Sequence, residues 1–354
     1  MGRDFDFAEF HAQSVAEQIA RSEQSDWLLA GDCSFLPKSG KQTYGKGIFW
    51  SGSSSKSEPG LEIEGYALIN PNTKEAYMVD VEQTPSDLSS KEGSAEDYTR
   101  VDHYVDHLRR VIRRYYWVRY VALDGYYTKH KVLSFFDQAE DCDMIGKLRK
   151  DADLKFYLDR EKAKASGVHI HGNKKYEAKF DHEDPMSQRH LWKLIGTLEE
   201  DADIELYQAK MYSPYYKRDL NVVLCWHQKE QKHILLFSTD LELAGLKLVQ
   251  YYKSRFQIEF LFRDAKQHAG LNHAQVRDAK KLDFHFNFCF ANINLGRIVA
   301  REQGQAAFAF NNAKRLGYNN LLLEKFIANS GIDPELPEIR LALQKTAQFG
   351  LMSE

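Results

Sequence analysis

The stretch that decides the fold is Tyr251-Tyr252-Lys253-Ser254-Arg255-Phe256-Gln257-Ile258-Glu259-Phe260-Leu261-Phe262-Arg263-Asp264-Ala265-Lys266. On an α-helix, at about 100° per residue, one side of it carries a charged stripe within roughly one sixth of the circumference. The stripe consists of Tyr252, Arg255, Glu259 and Lys266, joined by Arg263. Apolar residues flank it, with Ile258, Leu261, Phe262 and Ala265 on one side and Phe256 and Phe260 on the other. Because an ordinary surface helix has a single apolar stripe, the pattern predicts a helix that lines a cleft.

The same charges also fit a simpler interpretation. Arg255 and Glu259, and Glu259 and Arg263, are four residues apart, and opposite charges at that spacing stabilise a solvent-exposed helix. On this stretch alone, an exposed face of ion pairs is as well supported as a catalytic cleft. Carboxylates at the ends of buried strands upstream would favour the cleft.

Two such carboxylates precede the stretch. The apolar run Trp27-Leu28-Leu29-Ala30 leads into Gly31-Asp32, and Tyr120-Val121-Ala122-Leu123 stops at Asp124-Gly125. A carboxylate placed directly after a buried strand is costly unless it meets a cation or a hydrogen-bond donor. An Asp-Gly pair alone usually marks a turn, so the position of Asp124 after an apolar run gives it weight. We predict that Asp32 and Asp124 are site residues at strand ends.

The order Tyr-x2-Arg-x3-Glu-x6-Lys resembles the signature of the YREK group (IS-four-like) of insertion-sequence transposases, which have an Asp-Asp-Glu active site. All four residue types and their spacings match at Tyr252, Arg255, Glu259 and Lys266. Two upstream segments, Lys38-Ser39-Gly40-Lys41 and Asp124-Gly125-Tyr126-Tyr127-Thr128, are similar to the stretches around the group's two aspartates. The resemblance covers roughly residues 27–298, with its motifs in the expected order.

The resemblance implies an α/β fold, in which an RNase H-like core with a mixed sheet carries a mostly β insertion between the second Asp and the Glu. The boundaries that we predict are a short N-terminal helical segment at 1–25, the first part of the core at 26–150, the insertion at 151–217, the second part of the core at 218–300 and a C-terminal helical segment at 301–354. Relatives carry a longer N-terminal region that helps to bind transposon ends. The resemblance therefore implies either that residues 1–25 are a truncated form of this region or that other parts of the chain recognise the ends.

The resemblance assigns the catalytic role to Asp32, Asp124 and Glu259. Three carboxylates held together repel one another, and protons or cations must compensate their charge. All-oxygen ligation suits Mg²⁺ or Mn²⁺, and we expect two ions that activate a water or a 3′-hydroxyl and stabilise the leaving oxygen.

The resemblance also implies contacts to the DNA backbone. It assigns them to Tyr252, Arg255 and Lys266 on the helix and to Lys38 and Lys41 in the loop after Asp32, and Arg263 shares the helix face. The Gly-rich loop could instead be a plain hairpin connection, and the P-loop spacing is absent from it. In this group an aromatic residue of the insertion often assists a DNA hairpin, and Trp192 and Trp226 are the available tryptophans.

The implied function is that of a DNA transposase, which cuts double-stranded DNA at terminal inverted repeats and joins the ends to target DNA. We expect a homodimer, since two ends must be brought together. The alternatives are a domesticated or truncated transposase that binds DNA or only nicks it, and a nuclease on the same fold that lacks strand transfer.

Composition limits the remaining classes. The chain has 48 Lys and Arg against 51 Asp and Glu, a formal net charge of −3, so DNA binding would require segregated charge. Four cysteines without a CxxC pair indicate neither a zinc site nor a disulfide framework, and the pair His169-x-His171 is read as surface histidine. Without a signal peptide or a long apolar run, we expect no membrane association and a bacterial cytoplasmic protein that joins the nucleoid when bound to DNA.

Overall fold

The strands of the chain form one sheet. The structure is a computed structural model that describes residues 5–21, 26–89, 97–139, 141–165, 172–302 and 310–351. The strands are β1 Leu28–Pro37, β2 Gly47–Ser51, β3 Lys56–Ile69, β4 Ala76–Gln83, β5 Tyr120–Leu123, β6 Asp143–Leu148, β7 Lys155–Tyr157, β8 Tyr176–Lys179, β9 Lys193–Leu198, β10 Asp201–Ser213, β11 Arg218–His227 and β12 Lys232–Ser238. The helices are α1 Phe7–Arg21, α2 Arg100–Arg114, α3 His130–Phe136, α4 Arg160–Ala165, α5 Gly245–Ser254, α6 Phe256–Gln267, α7 Ala279–Glu302, α8 Phe310–Ser330 and α9 Pro337–Ala347.

The sheet is mixed, with the strand order β2-β3-β1-β5-β6-β12-β11-β10-β7-β8, while β4 pairs with β3 and β9 with β10. The pairs β1–β5 and β5–β6 are parallel. The pairs β1–β3 and β6–β12 are antiparallel. Helices lie on the sheet, so the predicted α/β class with a mixed sheet is confirmed.

Strands β3 and β4 form an antiparallel pair. β3 pairs with β4 from Ile69 opposite Ala76 to Ile63 opposite Gln83. Between them, the side-chain Oδ1 of Asn70 accepts hydrogen bonds from the backbone N of Asn72 and Thr73, at 3.0 and 3.2 Å. An asparagine that bonds the backbone two residues on stabilises a turn, which explains why the chain reverses there.

Strand β1 is longer than predicted, and the expectation that Asp32 follows the end of a strand is wrong. β1 continues to Pro37 because β3 pairs with it over its whole length, from Leu28 opposite Ile69 to Pro37 opposite Gly60. Only the parallel pairing with β5 stops near Asp32, at Gly31. Asp32 therefore lies inside a strand but next to the end of the neighbouring one.

Two apolar cores lie on opposite faces of the sheet, because successive residues of a strand point to opposite faces. In β1, Leu29 belongs to one core, which includes Leu108 of α2. Its neighbour Ala30 belongs to the other core, which includes Ile258 of α6 and Phe286 of α7. The helix of the charged stripe thus covers one face, and α2 covers the other.

The predicted insertion, residues 151–217, continues the same sheet. It carries β7 to β10, and β10 pairs with β11 over ten register positions from Ile204 opposite His227 to Ser213 opposite Arg218. The predicted return of two core strands is confirmed, since β11 pairs with β12 and β12 with β6. The insertion is thereby tied to the core through backbone hydrogen bonds.

The charged stretch forms two successive helices, whereas one continuous helix was expected. α5 ends at Ser254 and α6 begins at Phe256, and Arg255 between them makes i to i−3 bonds, from its N to the Tyr252 carbonyl and from Ile258 N to its own carbonyl. The Ser254 hydroxyl donates to the Gln250 carbonyl at 2.8 Å, and such back-bonding bends helices. Arg255 keeps right-handed helical angles, so the stripe stays on one side.

The remaining helices frame the core. α1 contacts α7 and β4, and α8 and α9 contact each other, in keeping with the predicted helical N- and C-terminal segments. Across the described residues, no helix combines the length and apolar character needed to cross a membrane.

Candidate active site

The sheet register brings the two aspartates together. Gly31 of β1 lies opposite Leu123 of β5 in the parallel pair, so Asp32 and Asp124 occupy the next positions on adjacent strands. The close approach depends on Gly31, since a Cβ at this position would lie 2.5 Å from Tyr66 Cε1 and 2.8 Å from Leu123 Cδ2. The register therefore places two carboxylates, 92 residues apart in the numbering, side by side.

Asp124 is held by its own turn. It follows the last residue of β5 and precedes the 3-10 turn Gly125–Tyr127, whose first backbone donors need an acceptor. The Asp124 side chain accepts a hydrogen bond from Tyr126 N at 2.8 Å. The predicted position of Asp124 at a strand end is confirmed.

Helix α6 brings the third carboxylate. Ile258, Leu261, Phe262 and Ala265 are buried against the core, whereas Phe256 and Phe260 are 49 and 38% exposed. The two predicted apolar walls therefore differ, because one packs on the sheet and the other faces outward. Glu259 lies between them with 40% of its side chain exposed.

Arg255 connects two of the three acids. Its NH1 lies 3.1 Å from Asp32 Oδ2, and its NH2 lies 2.9 Å from Glu259 Oε1. The Arg255 side chain is only 6% exposed, so the guanidinium donates to these carboxylates in a largely desolvated place. Both predicted alternatives for the stripe are thus partly right, since Arg255 and Glu259 do form an i, i+4 ion pair and the pair also faces Asp32.

Burial, and after it the neighbouring charges, shift the pKa of Asp32. Burial raises the pKa of this carboxyl, Arg255 opposes the rise, and the charges of Asp124 and Glu259 add to it, so that the pKa is about 7. The pKa of Lys266 is lowered by burial, which the negative charge of Asp32 partly offsets. A carboxyl that exchanges its proton near neutral pH is typical of functional sites.

All three carboxylates line one cleft, which has a volume of about 830 Å³. Arg263 and Lys266 of α6 line it too, as the charged stripe predicts. The cleft also contains Trp50, Arg100 and Tyr126. It thus combines acidic groups in its interior with cationic and aromatic side chains.

The sequence model of one family, described as the transposase DDE domain, matches residues 43–295. The chain belongs to this family. The match includes Asp124 and Glu259 and begins after Asp32. None of the curated proteins compared with the chain matches it. The mixed sheet with its helices is consistent with an RNase H-like transposase domain, a family that acts on DNA and generally uses divalent metal ions.

The other residues predicted to bind DNA lie at different places in this transposase domain. Tyr252 is half-buried next to Arg255, whose Cζ lies 5.8 Å from the centre of its ring, and it does not line the cleft. Lys38 lines a separate cavity beyond the end of β1, and Lys41 is exposed. Trp192 and Trp226 are each only 7% exposed, so neither is presented to a ligand as the domain stands.

Trp50, Arg100 and Tyr126 are among the cleft residues that sequence reasoning did not assign to the site. Trp50 is 60% exposed while its neighbour Phe49 is buried in the same strand, and Arg100 lies with its Cζ 4.8 Å from the Phe49 ring. Tyr126, within the Asp-Gly-Tyr-Tyr motif, is partly exposed. The available signal was the alternation in β2, which exposes a tryptophan where a polar residue is usual.

The carboxylate oxygens of the three acids are the type of ligand that Mg²⁺ and Mn²⁺ prefer. Within the described ranges, however, no three His, Cys, Asp or Glu side chains converge closely enough to hold one ion. Arg255 pairs with two of the three acids there. His169 and His171 lie outside the described residues.

A second buried cluster lies on the opposite face of β1 and β3. Glu64 accepts hydrogen bonds from the hydroxyls of Tyr66 and Tyr127, at 3.0 and 2.9 Å, and from His107 Nδ1 at 2.8 Å. His107 Nε2 also lies 3.7 Å from Asp80 Oδ1. Burial lowers the pKa of His107, but Asp80 and Glu64 outweigh it and raise the pKa to about 10. The imidazole is therefore a buried cation that supports the strands behind the cleft.

Proposed function

We propose that the chain is a DNA transposase of the YREK group, which cleaves phosphodiester bonds at transposon ends and joins the ends to target DNA in a metal-dependent reaction. The observation that supports the proposal is that Asp32 of β1, Asp124 directly after β5 and Glu259 of α6 line one cleft. Family membership supports the same reaction class.

Asp32, Asp124 and Glu259 would hold the metal ions. Bound divalent ions would supply activation of a water or 3′-hydroxyl and stabilisation of the leaving oxygen. The protein contributes a fixed position for each acid, through the β1–β5 register, the turn at Asp124 and the buried side of α6.

The cations of α6 would orient the DNA. Lys266 and Arg263 line the cleft beside the acids, where they can meet phosphate oxygens that the carboxylates would otherwise repel. The direct partners of Arg255 are Asp32 and Glu259, so in this proposal it first positions the acids. Arg255 would contact the DNA backbone, as predicted, while it remains paired with these acids, and Tyr252 would do so from its position beside Arg255.

The partners would be double-stranded DNA carrying terminal inverted repeats, target DNA and a second copy of the chain. A dimer follows from the proposed reaction, since two transposon ends must be joined. A target-joining assay separates this function from that of a nuclease that only cuts or nicks DNA, because only the transposase would transfer a 3′ end.

The test of the proposed chemistry is the substitution Asp124→Ala. We expect it to abolish DNA cleavage in the presence of Mg²⁺ or Mn²⁺ and to leave DNA binding largely intact, since it removes a metal ligand and no cation. Asp151→Ala is the matched control, because Asp151 is a surface residue paired with Arg149. Cleavage that survives Asp124→Ala would show that the cleft is not the catalytic centre.

A further inference from the structure

A second cavity, of about 430 Å³, lies where the loop after β1 meets the segment that joins α6 to α7. Lys38, Gly40 and Thr43 line it from the loop, and His273 and Arg277 line it from the segment. No Asp or Glu is among its lining residues. Its charged groups are therefore basic, in contrast to the acidic interior of the cleft.

Two cations of this cavity lack a carboxylate partner. Among the described residues, neither Lys38 nor Arg277 forms an ion pair, and their side-chain contacts are to the Ala274 carbonyl and, at 3.5 Å, to Gln42 Oε1. Burial lowers the pKa of Lys38, and the nearby charge of Arg277 lowers it further. Two like charges held in one cavity favour an anion between them.

Thr43 supplies an independent indication of a ligand. The residue is only 6% exposed, and its Oγ1 has no hydrogen-bond partner within the described structure. Gly40 leaves room beside that oxygen, since a Cβ at position 40 would lie 3.0 Å from it. Because a buried hydroxyl without a partner destabilises a protein, the unpaired hydroxyl of a residue that lines a basic cavity indicates a bound acceptor.

We propose that this cavity binds a phosphate group of the DNA backbone, with Lys38 and Arg277 supplying charge and Thr43 a hydroxyl donor. The inference rests on the proposed function for the choice of DNA. Of the two loop lysines predicted to contact DNA, only Lys38 lines the cavity. The inference adds Thr43 and Arg277 as further contacts to the same phosphate group.

The position of the cavity suits a phosphate that flanks the cleaved bond. β1 carries Asp32 and ends at Pro37, beside Lys38, and α6 carries Glu259 and ends shortly before the 3-10 turn Leu271–His273. Six residues of extended chain span at most about 20 Å, the length of about six base pairs. The cavity would thus hold the duplex a few base pairs from the cleft.

The experiment measures binding of the full chain to a short fluorescent DNA duplex by anisotropy, without divalent metal, over a series of salt concentrations. For Arg277→Ala we expect about tenfold weaker binding and a plot of log affinity against log salt whose slope is smaller by about 0.9. For Thr43→Val we expect weaker binding with an unchanged slope and an equal or higher melting temperature, since no protein group loses a bond.

Lys281→Ala is the control, because Lys281 is an exposed lysine of α7 outside the cavity and its loss changes the net charge equally. The proposed phosphate site would be wrong if Arg277→Ala and Thr43→Val both bound DNA as tightly as the wild type. It would also be wrong if Lys281→Ala reduced the slope of log affinity against log salt as much as Arg277→Ala does. DNA cleavage by the wild-type chain with Mg²⁺ is measured in parallel. If the wild-type chain cleaves DNA but the variants bind DNA normally, only the phosphate site is refuted. If the variants bind DNA more weakly but the wild-type chain does not cleave it, only the proposed chemistry is refuted.

Discussion

The two faces of β1 and β3 carry two charge clusters of different composition, one lining the cleft and one buried. In the cleft, Asp32 and Glu259 share one closely paired cation, Arg255, and Asp124 adds a third acid nearby. On the other face, Glu64 is surrounded by two tyrosine hydroxyls and the imidazole of His107. The first cluster has excess negative charge. In the second, the central carboxylate is surrounded by donors, while His107 Nε2 has only a 3.7 Å ionic contact to Asp80 Oδ1 and no hydrogen bond.

The pKa values of Asp32 and His107 show this difference. The environment of Asp32 raises its pKa to about 7, so the folded protein disfavours its charged form. The environment of His107 raises its pKa to about 10, so the folded protein favours its charged form. One cluster therefore reduces stability and leaves its acids in need of cations, while the other stabilises the strands that hold those acids.

The largest effect on stability is expected from His107→Ala. Removing one member of a buried ion pair leaves the other charge uncompensated, which costs about 3–5 kcal/mol of unfolding free energy. Urea unfolding measures this change, with His130→Ala, an exposed histidine, as the control. A loss no larger than that of the control would mean that Glu64 and Asp80 do not depend on the imidazolium.

The cleft should show the opposite response to Glu259→Gln. We expect metal-dependent cleavage to fall at least about a hundredfold, equivalent to about 2.7 kcal/mol of transition-state stabilisation, with little change in unfolding free energy. Single-turnover DNA cleavage measures it, and Glu242→Gln, an exposed glutamate paired with Lys210, serves as control. Equal activity in the two variants would remove Glu259 from the catalytic set.

The pH dependence of stability separates the clusters directly. Because the folded pKa of His107 is raised from 6.5 to about 10, its contribution is fully present below pH 6.5 and is lost as the pH rises toward 10. Within that window, the unfolding free energy should fall by up to about 1.4 kcal/mol for each pH unit. Urea unfolding of the wild type at pH 6, 8 and 10, against the same series for His107→Ala, should show a decline that the variant lacks.

Asp32→Asn should stabilise the protein above neutral pH. The folded pKa of Asp32 is raised from 3.8 to about 7, so its charged form opposes folding once the unfolded chain has lost that proton. We expect a gain of about 1–3 kcal/mol at pH 8 and a smaller one at pH 4, measured by urea unfolding. If the variant were less stable than the wild type at pH 8, the negative charge of Asp32 would be needed to compensate the buried Arg255.

The smallest effect is expected from Lys266→Ala. If Lys266 meets one DNA phosphate in the cleft, the slope of log affinity against log salt falls by about 0.9, while unfolding free energy changes little. Anisotropy titrations measure the slope, and an unchanged value would assign Lys266 to the acids instead of the DNA.

The spacing of residues in the sequence was sufficient to predict the local features of the site. The four residues of the charged stripe share one side because helical periodicity fixes their angles, and Asp124 ends a strand because an apolar run stops there. The length of β1 could not be predicted the same way. It is set by β3, whose residues 60–69 pair with the whole strand, and a partner strand is a tertiary feature that residues around Asp32 do not encode.

The same limit explains what was missed. Glu64 and His107 meet across 43 positions of sequence, and Trp50 and Arg100 enter the cleft from β2 and α2. Glu64, His107 and Arg100 have ordinary local contexts, so only the packing of α2 on the sheet reveals them, whereas the alternation in β2 was a local signal for Trp50. The break at Arg255 depends on one serine hydroxyl bonding to the Gln250 carbonyl, a choice of rotamer that periodicity does not contain.

Gly31 affects the supports of both charge clusters. A methyl group there would press on Leu123, which precedes Asp124, and on Tyr66, which bonds Glu64. A single alanine at this position would therefore displace the side chains of Leu123 and Tyr66 together, and with them the residues that support Asp124 and Glu64. We expect this glycine to tolerate almost no replacement.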